Sequence, residues 1–135
     1  MQQGWAAFAG LVGGLAFLVV VWDAILGGLF RMSYLLALGG SLVHEAPRHT
    51  TYAVGGLMHV ALSALFGIVY AWALGVVGVS SLAAGASLGL VLGAIHGIAT
   101  SRIGRRYGPS TVTVWIVAHA VFGMTVGTVY TAVAH

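Results

Sequence analysis

The chain has no cysteine, no lysine, two prolines and two acidic residues in 135 positions. Without cysteine, neither a disulfide framework nor thiolate metal ligation is available. The formal charge of +3 rests on only five arginines, too few for nucleic-acid binding. Charged residues make up 5% of the chain, where a soluble domain carries about 25%, and hydrophobic residues make up 60%. Mean hydropathy is +1.05. Such a chain is solvated by lipid. Its length suits a single compact membrane domain over residues 1–135. The N-terminus lacks a basic region and its first apolar stretch is too long for a signal peptide, so none is expected.

Four stretches are long enough to cross a bilayer, which takes about 20 residues. They run over roughly 5–29, 52–78, 81–101 and 110–133. Backbone in lipid must satisfy its own hydrogen bonds, so these spans are expected to be helices. The scarce prolines fall between spans: Pro47 in "HEAPRHT" and Pro109 in "SRIGRRYGPS". "SYLLALGGSLV", before the first of these, is apolar enough to continue the first helix or lie at the interface. "VVGVSS" leaves room only for a tight turn. Short connections predict an up-down-up-down four-helix bundle.

All five arginines fall in two connections. Arg31 and Arg48 separate spans one and two, and Arg102, Arg105 and Arg106 separate spans three and four. The positive-inside rule makes that face cytoplasmic and places both termini outside a prokaryotic cytoplasmic membrane.

Within this greasy background one pattern recurs. "GLMHVALSALFGIVY" (56–70) and "IVAHAVFGMTVGTVY" (116–130) share a register, so that His59, Gly67, Val69 and Tyr70 match His119, Gly127, Val129 and Tyr130. The match predicts a duplicated two-helix hairpin related by an axis along the membrane normal. Each span also carries one ionisable residue: Asp23, His59, His96 and His119. All four lie at similar depth towards the cytoplasmic face, where such groups are expensive and face a bundle interior, a partner or a cavity. Small residues share their faces: Ala16 and Gly27 with Asp23, Ser63 and Gly67 with His59, Gly85, Gly89 and Gly93 with His96, and Gly123 and Gly127 with His119. Phe122 shares the face of His119, and Tyr130 lies further along it.

Two readings of these faces compete. In one, glycines let helices approach closely and histidines bond between them. In the other, the small residues make room for a cofactor. Spans two and four are diagonal in an up-down bundle, so His59 and His119 would face each other and ligate a haem b, with Gly67, Gly123 and Gly127 beside the ring. Arg102 or Arg31 would meet the propionates. Alternatively His59, His96, His119 and Asp23 form a nitrogen and oxygen site for zinc, iron or copper, or Asp23 orients a ligating imidazole. Tyr70, Tyr130, Trp5, Trp72 and Trp115 read as interface-belt anchors or interhelical hydrogen-bonding residues. His44, Glu45, Arg48 and His49 read as a solvated loop.

"GLMHVALSALFGIVYA" and "AHAVFGMTVGTVYTAVAH", with His119, Phe122, Gly123, Gly127 and Tyr130, resemble an uncharacterised family of small four-span prokaryotic membrane proteins, a domain of unknown function. The resemblance covers most of the chain. It implies the bundle and the histidine placement, and supplies no activity. The expected function is to bind a haem or metal ion for electron transfer, or as a cofactor-carrying subunit, with no catalytic constellation of its own. Two alternatives stand. One is a small proton-coupled transporter using Asp23, since the small multidrug resistance family likewise has four short spans and a carboxylate in its first helix. The other is a cofactor-free accessory subunit. Expected partners are the bilayer and either a second copy or a larger membrane complex.

Overall fold

The structure, a computed structural model, describes residues 2–29, 33–78, 82–103 and 111–133. Five helices appear among them: α1 (Gln2–Leu26), α2 (Tyr34–Gly40), α3 (Arg48–Val77), α4 (Leu82–Ile103) and α5 (Thr111–Val133). All but α2 are long and apolar enough to cross a membrane.

The helix ends follow local chemistry. The α1 helix stops at Leu26, short of the expected residue 29, because Gly28 takes the left-handed conformation at φ +72°. There Gly28 N–H donates to Ile25 O at 3.0 Å and Leu29 N–H to Ala24 O at 2.9 Å, the paired bonds of a Schellman cap. The start of α3 lies four residues earlier than expected, at Arg48, because Pro47 sits at its N-cap with φ −53° and the chain turns directly into helix. Proline is tolerated there, since the N–H it lacks would have no helical partner. Thr51 Oγ1 donates back to Pro47 O at 3.2 Å. Gly78, at φ +69°, ends α3. The segment around "YLLALGG" does not extend the first span. It forms the separate helix α2, which packs on α3.

The spans form an open arc. The α3 and α5 helices flank α1, and α4 lies on the far side of α5. The α3 helix meets α5 and α4 only sparsely, so a cleft remains between α3 and α4 although only four residues separate them in the chain.

Along α1 small side chains dominate the buried face and most large ones face outward. Ala6, Ala9, Gly10, Gly13, Gly14, Phe17, Val21 and Ala24 make the buried stripe of α1, while Leu15, Val19, Trp22 and Leu26 are exposed. In water that exterior would be costly. In lipid, tails solvate large apolar side chains as well as a core does, and small residues win the helix contacts because they let backbones approach. A Cβ on Gly10 would strike Ser63 O, and one on Gly67 would strike Ala6 O. On the other side, Gly85 lies against Gly123, Gly89 against His119 O, and Gly93 against Ile116 and Trp115 O. The α2 helix is held similarly, with Gly39 over Thr51 O and Gly55 over Leu35 O.

Candidate functional site

The cleft deepens into a cavity of about 560 Å³, within the range of sites that bind small molecules. Phe17 of α1 forms part of its wall, and Tyr34, Ala37 and Leu38 of α2 close one side. From α3 come His59, Leu62, Ser63, Phe66 and Tyr70. Leu92, Ile95 and His96 come from α4, and Trp115, His119 and Phe122 from α5. His59, His96 and His119 therefore line one space, together with two tyrosines and a tryptophan.

His59 is buried at the junction of α1, α2 and α3. Its Nε2 lies 3.0 Å from Gly14 O. A carbonyl only accepts, so Nε2 carries the proton and Nδ1 the lone pair. The Tyr34 hydroxyl, 3.4 Å away, then donates to Nδ1. Burial pushes the Tyr34 phenol up to about 12, which keeps it a neutral donor. Ser63, one turn beyond His59 on the same face, places its Oγ 3.4 Å from Nε2. Gly14 is required by this arrangement, because a Cβ there would overlap Ser63 and lie 3.3 Å from His59 Nε2.

The other two histidines form a pair. His119 Nδ1 donates to Trp115 O at 2.8 Å, one turn back on α5. Its Nε2 therefore carries the lone pair, and it lies 3.3 Å from Nδ1 of His96. The His96 ring is stacked on the Trp115 indole, with centroids 4.4 Å apart and planes at 14°. Each imidazole is thus held in orientation, one by a carbonyl and one by an aromatic face. The two rings stand at 77° to each other.

Phe17 separates the pair from His59. Its ring lies 5.8 Å from the His59 ring and 5.2 Å from the His119 ring. The histidines on α3 and α5 do line a common cavity, but the close partner of His119 is His96. Asp23 joins none of them. It is exposed and does not line the cavity. Among the described residues there is no group of three or more His, Cys, Asp or Glu side chains placed to hold one ion.

Gly67, Gly123 and Gly127 lie in helix contacts and do not line the cavity; Gly127 Cα is 3.4 Å from where a Gly85 Cβ would be. Gly89 and Gly93 likewise face α5, as the glycine spacing predicts for a face turned to another helix. His44, Glu45, Arg48 and His49 are exposed, and Arg48 lies over the Tyr52 ring at 5.7 Å. Arg31, Arg105, Arg106, His135 and the side chain of Arg102 lie outside the described residues.

Two aromatic residues differ from the belt reading. Trp115 is 5% exposed and belongs to the core, whereas Trp5 and Trp72 are exposed. Tyr70 is 1% exposed, with its ring edge-on to Phe122 at 5.3 Å. Its hydroxyl is buried with no hydrogen-bond partner among the described residues. An unpaired buried hydroxyl costs about 1–3 kcal/mol. Phe17 packs between His59 and the pair, and Tyr34 packs on Phe17 and His59; neither is among the site residues expected from the sequence. The signal for Phe17 was its place four residues beyond Gly13, on the small-residue stripe of α1. Nothing in the sequence marked Tyr34.

No family model, no curated protein and no solved structure matches this chain.

Proposed function

We propose that this protein is a multi-pass membrane protein that holds one transition-metal ion at His96 and His119, beside a cavity that opens towards lipid. The observation carrying this reading is the 3.3 Å between His96 Nδ1 and His119 Nε2. Two ligands at 2.0–2.1 Å from a tetrahedral ion stand about 3.3 Å apart, while the same distance is long for an N–H donor bond. The Trp115 carbonyl on His119 Nδ1 is the kind of outer partner that orients a ligating imidazole.

A bare ion suits these residues better than a bis-histidine haem. Axial nitrogens of one haem approach its iron from opposite faces, whereas Phe17 packs against both the His59 and the His119 rings. A porphyrin between those two would have to take its place. His96 and His119 would hold the ion and leave its other positions to small molecules from the cavity, one protein ligand fewer than the three of a catalytic zinc site. Iron or copper there would carry an electron; zinc would polarise a bound oxygen. Transport through Asp23 draws no support from its position outside the cavity.

In this reading the bundle is a duplicated up-down hairpin. Gly10 meets Ser63 and Gly67 as Gly85 meets Gly123 and Gly127, and Ser63 and Gly67 fall sixty residues before Gly123 and Gly127. Both termini lie outside, with the arginine-bearing connections in the cytoplasm. Reporter fusions at Gln2 and after His135 should be active on the outer side; cytoplasmic activity at either would overturn the orientation.

Elemental analysis of protein purified from its native membrane tests the central reading. About one iron, copper or zinc per chain is expected. Protein free of any stoichiometric metal would end it and leave the histidines as hydrogen-bonding groups.

A further inference from the structure

An ion at His96 and His119 is short of negative charge. Both ligands are neutral imidazoles, so a divalent ion keeps its whole charge, and burying a charge without a counter-ion is costly. The cavity wall supplies none: its described residues are hydrophobic, aromatic, serine and histidine, with no aspartate or glutamate. Asp23 and Glu45 are the only acidic side chains in the sequence. Both are exposed and neither lines the cavity. The counter-charge therefore has to come with a ligand from outside the chain.

The cavity opens to lipid where α3 and α4 scarcely touch. Phe66 on α3 and Ile95 on α4 both line it, and they are 45% and 61% exposed. In a bilayer those side chains face acyl chains, so a molecule dissolved in lipid enters without crossing water. An anion dissolved in lipid carries a hydrocarbon tail. The cavity also shares the polarity of a lipid leaflet. His119 lies eight residues after the start of α5 at Thr111, and His96 seven before the end of α4 at Ile103. The pair therefore sits nearer one membrane face. Phe122 and Leu92 fall at the middle of the same helices and also line the cavity. A carboxylate at the pair leaves its tail running towards the bilayer centre, as the tails of leaflet lipids do.

We propose that the cavity binds a long-chain fatty acid from the bilayer, whose carboxylate ligates the ion at His96 and His119. Its tail lies against Leu92, Phe122 and Phe66 and leaves between α3 and α4. This rests on the metal reading and names the ligand that fills the positions the two histidines leave open. Carboxylate oxygens bind zinc at about 2.0–2.2 Å, and one carboxylate binding through both oxygens completes four donor atoms with the two imidazoles. It also cancels one of the two charges of the ion. The acid binds as its anion, so its proton passes to solvent on ligation.

The test uses the full chain in phosphatidylcholine nanodiscs. Cobalt-loaded protein is titrated with palmitic acid, with hexadecanol (the same tail, a neutral head) and with acetate (the same head, no tail). Palmitate should change the visible absorption of the bound cobalt saturably, with hexadecanol and acetate each binding roughly tenfold more weakly or worse, a difference of about 1.4 kcal/mol. The tail is located separately. With the exposed Trp5, Trp22 and Trp72 changed to phenylalanine, Trp115 of the cavity wall is the only tryptophan. In zinc-loaded protein, stearate brominated at mid-chain should quench Trp115 saturably, and unlabelled palmitate should reverse the quenching. A cobalt spectrum indifferent to palmitate would overturn this proposal and leave the metal reading standing. Acetate acting as strongly as palmitate would also overturn it, since the ion would then take small anions from water. So would quenching that palmitate does not reverse, because the tail would lie elsewhere. Protein that gives no cobalt spectrum at all would overturn the metal reading, and this proposal with it.

Discussion

Alanine at Gly89 should destabilise the bundle by about 2–3 kcal/mol, at the upper end of what overpacking a tight contact costs. The reason lies in what the added methyl would meet. A Cβ at Gly89 overlaps His119 O and falls 2.8 Å from its carbonyl carbon. These are backbone atoms, so no side-chain rotation relieves the clash and α4 must move away from α5. Gly85→Ala should behave alike, since its Cβ would strike Gly123 O. The sign is informative, because in an isolated helix glycine to alanine gains about 1 kcal/mol. Gly4 and Gly75, with nothing within 4 Å of a Cβ, should show that small gain or no change. Equilibrium unfolding in mixed micelles, comparing all four variants, measures the difference. Should Gly85 and Gly89 tolerate alanine as Gly4 does, α4 and α5 would not be packed backbone to backbone.

The same contacts explain which parts of the structure could be read from the sequence. The four spans were legible because an apolar run of membrane length has few alternatives in a chain with so little charge. The glycine spacing of α4 correctly pointed to a helix neighbour. The inward residue of α1 was harder to find. An ionisable residue in a span normally faces inward, which favoured Asp23. The phase of α1 is instead set by Ala6, Ala9, Gly10, Gly13, Gly14, Phe17, Val21 and Ala24, and Asp23 falls off that stripe. Close helix approach outweighed the single carboxylate, which lies three residues from the end of α1. Trp115 and Tyr70 were misplaced for another reason. An amphipathic aromatic side chain suits a membrane interface and the wall of a buried cavity equally well, and composition does not distinguish them. The repeat suggested that His59 and His119 are equivalent, yet their partners differ: Gly14 and Tyr34 for one, Trp115 and His96 for the other. The His96 partnership depends on α4 packing on α5 in particular, and the glycine spacing reports a close neighbour without saying which helix it is.

His96→Ala and His119→Ala should each abolish metal binding, and this comparison separates the two uses of a histidine pair. With cobalt as a spectroscopic stand-in, the parent should give the visible absorption of a tetrahedral ion with nitrogen ligands. Each of these variants removes one of two protein ligands, so the loss in affinity should exceed the 10–100-fold typical of an outer partner. His59→Ala should bind within a few-fold of the parent, because Phe17 stands against both His59 and His119 and His59 is committed to Gly14 and Tyr34. His135→Ala should have no effect. Occupancy in the parent should fall as pH is lowered, since a proton and the ion compete for the same imidazole lone pair and only the neutral ring ligates. If the pair served only as a hydrogen bond, its contribution would be about 0.5–1.5 kcal/mol, and His96→Ala and His119→Ala would alter stability alone. A different pattern, in which His59→Ala loses cobalt as completely as the other two, would mean that the ion draws α3 inward past Phe17. The three-histidine set expected from the sequence would then replace the pair.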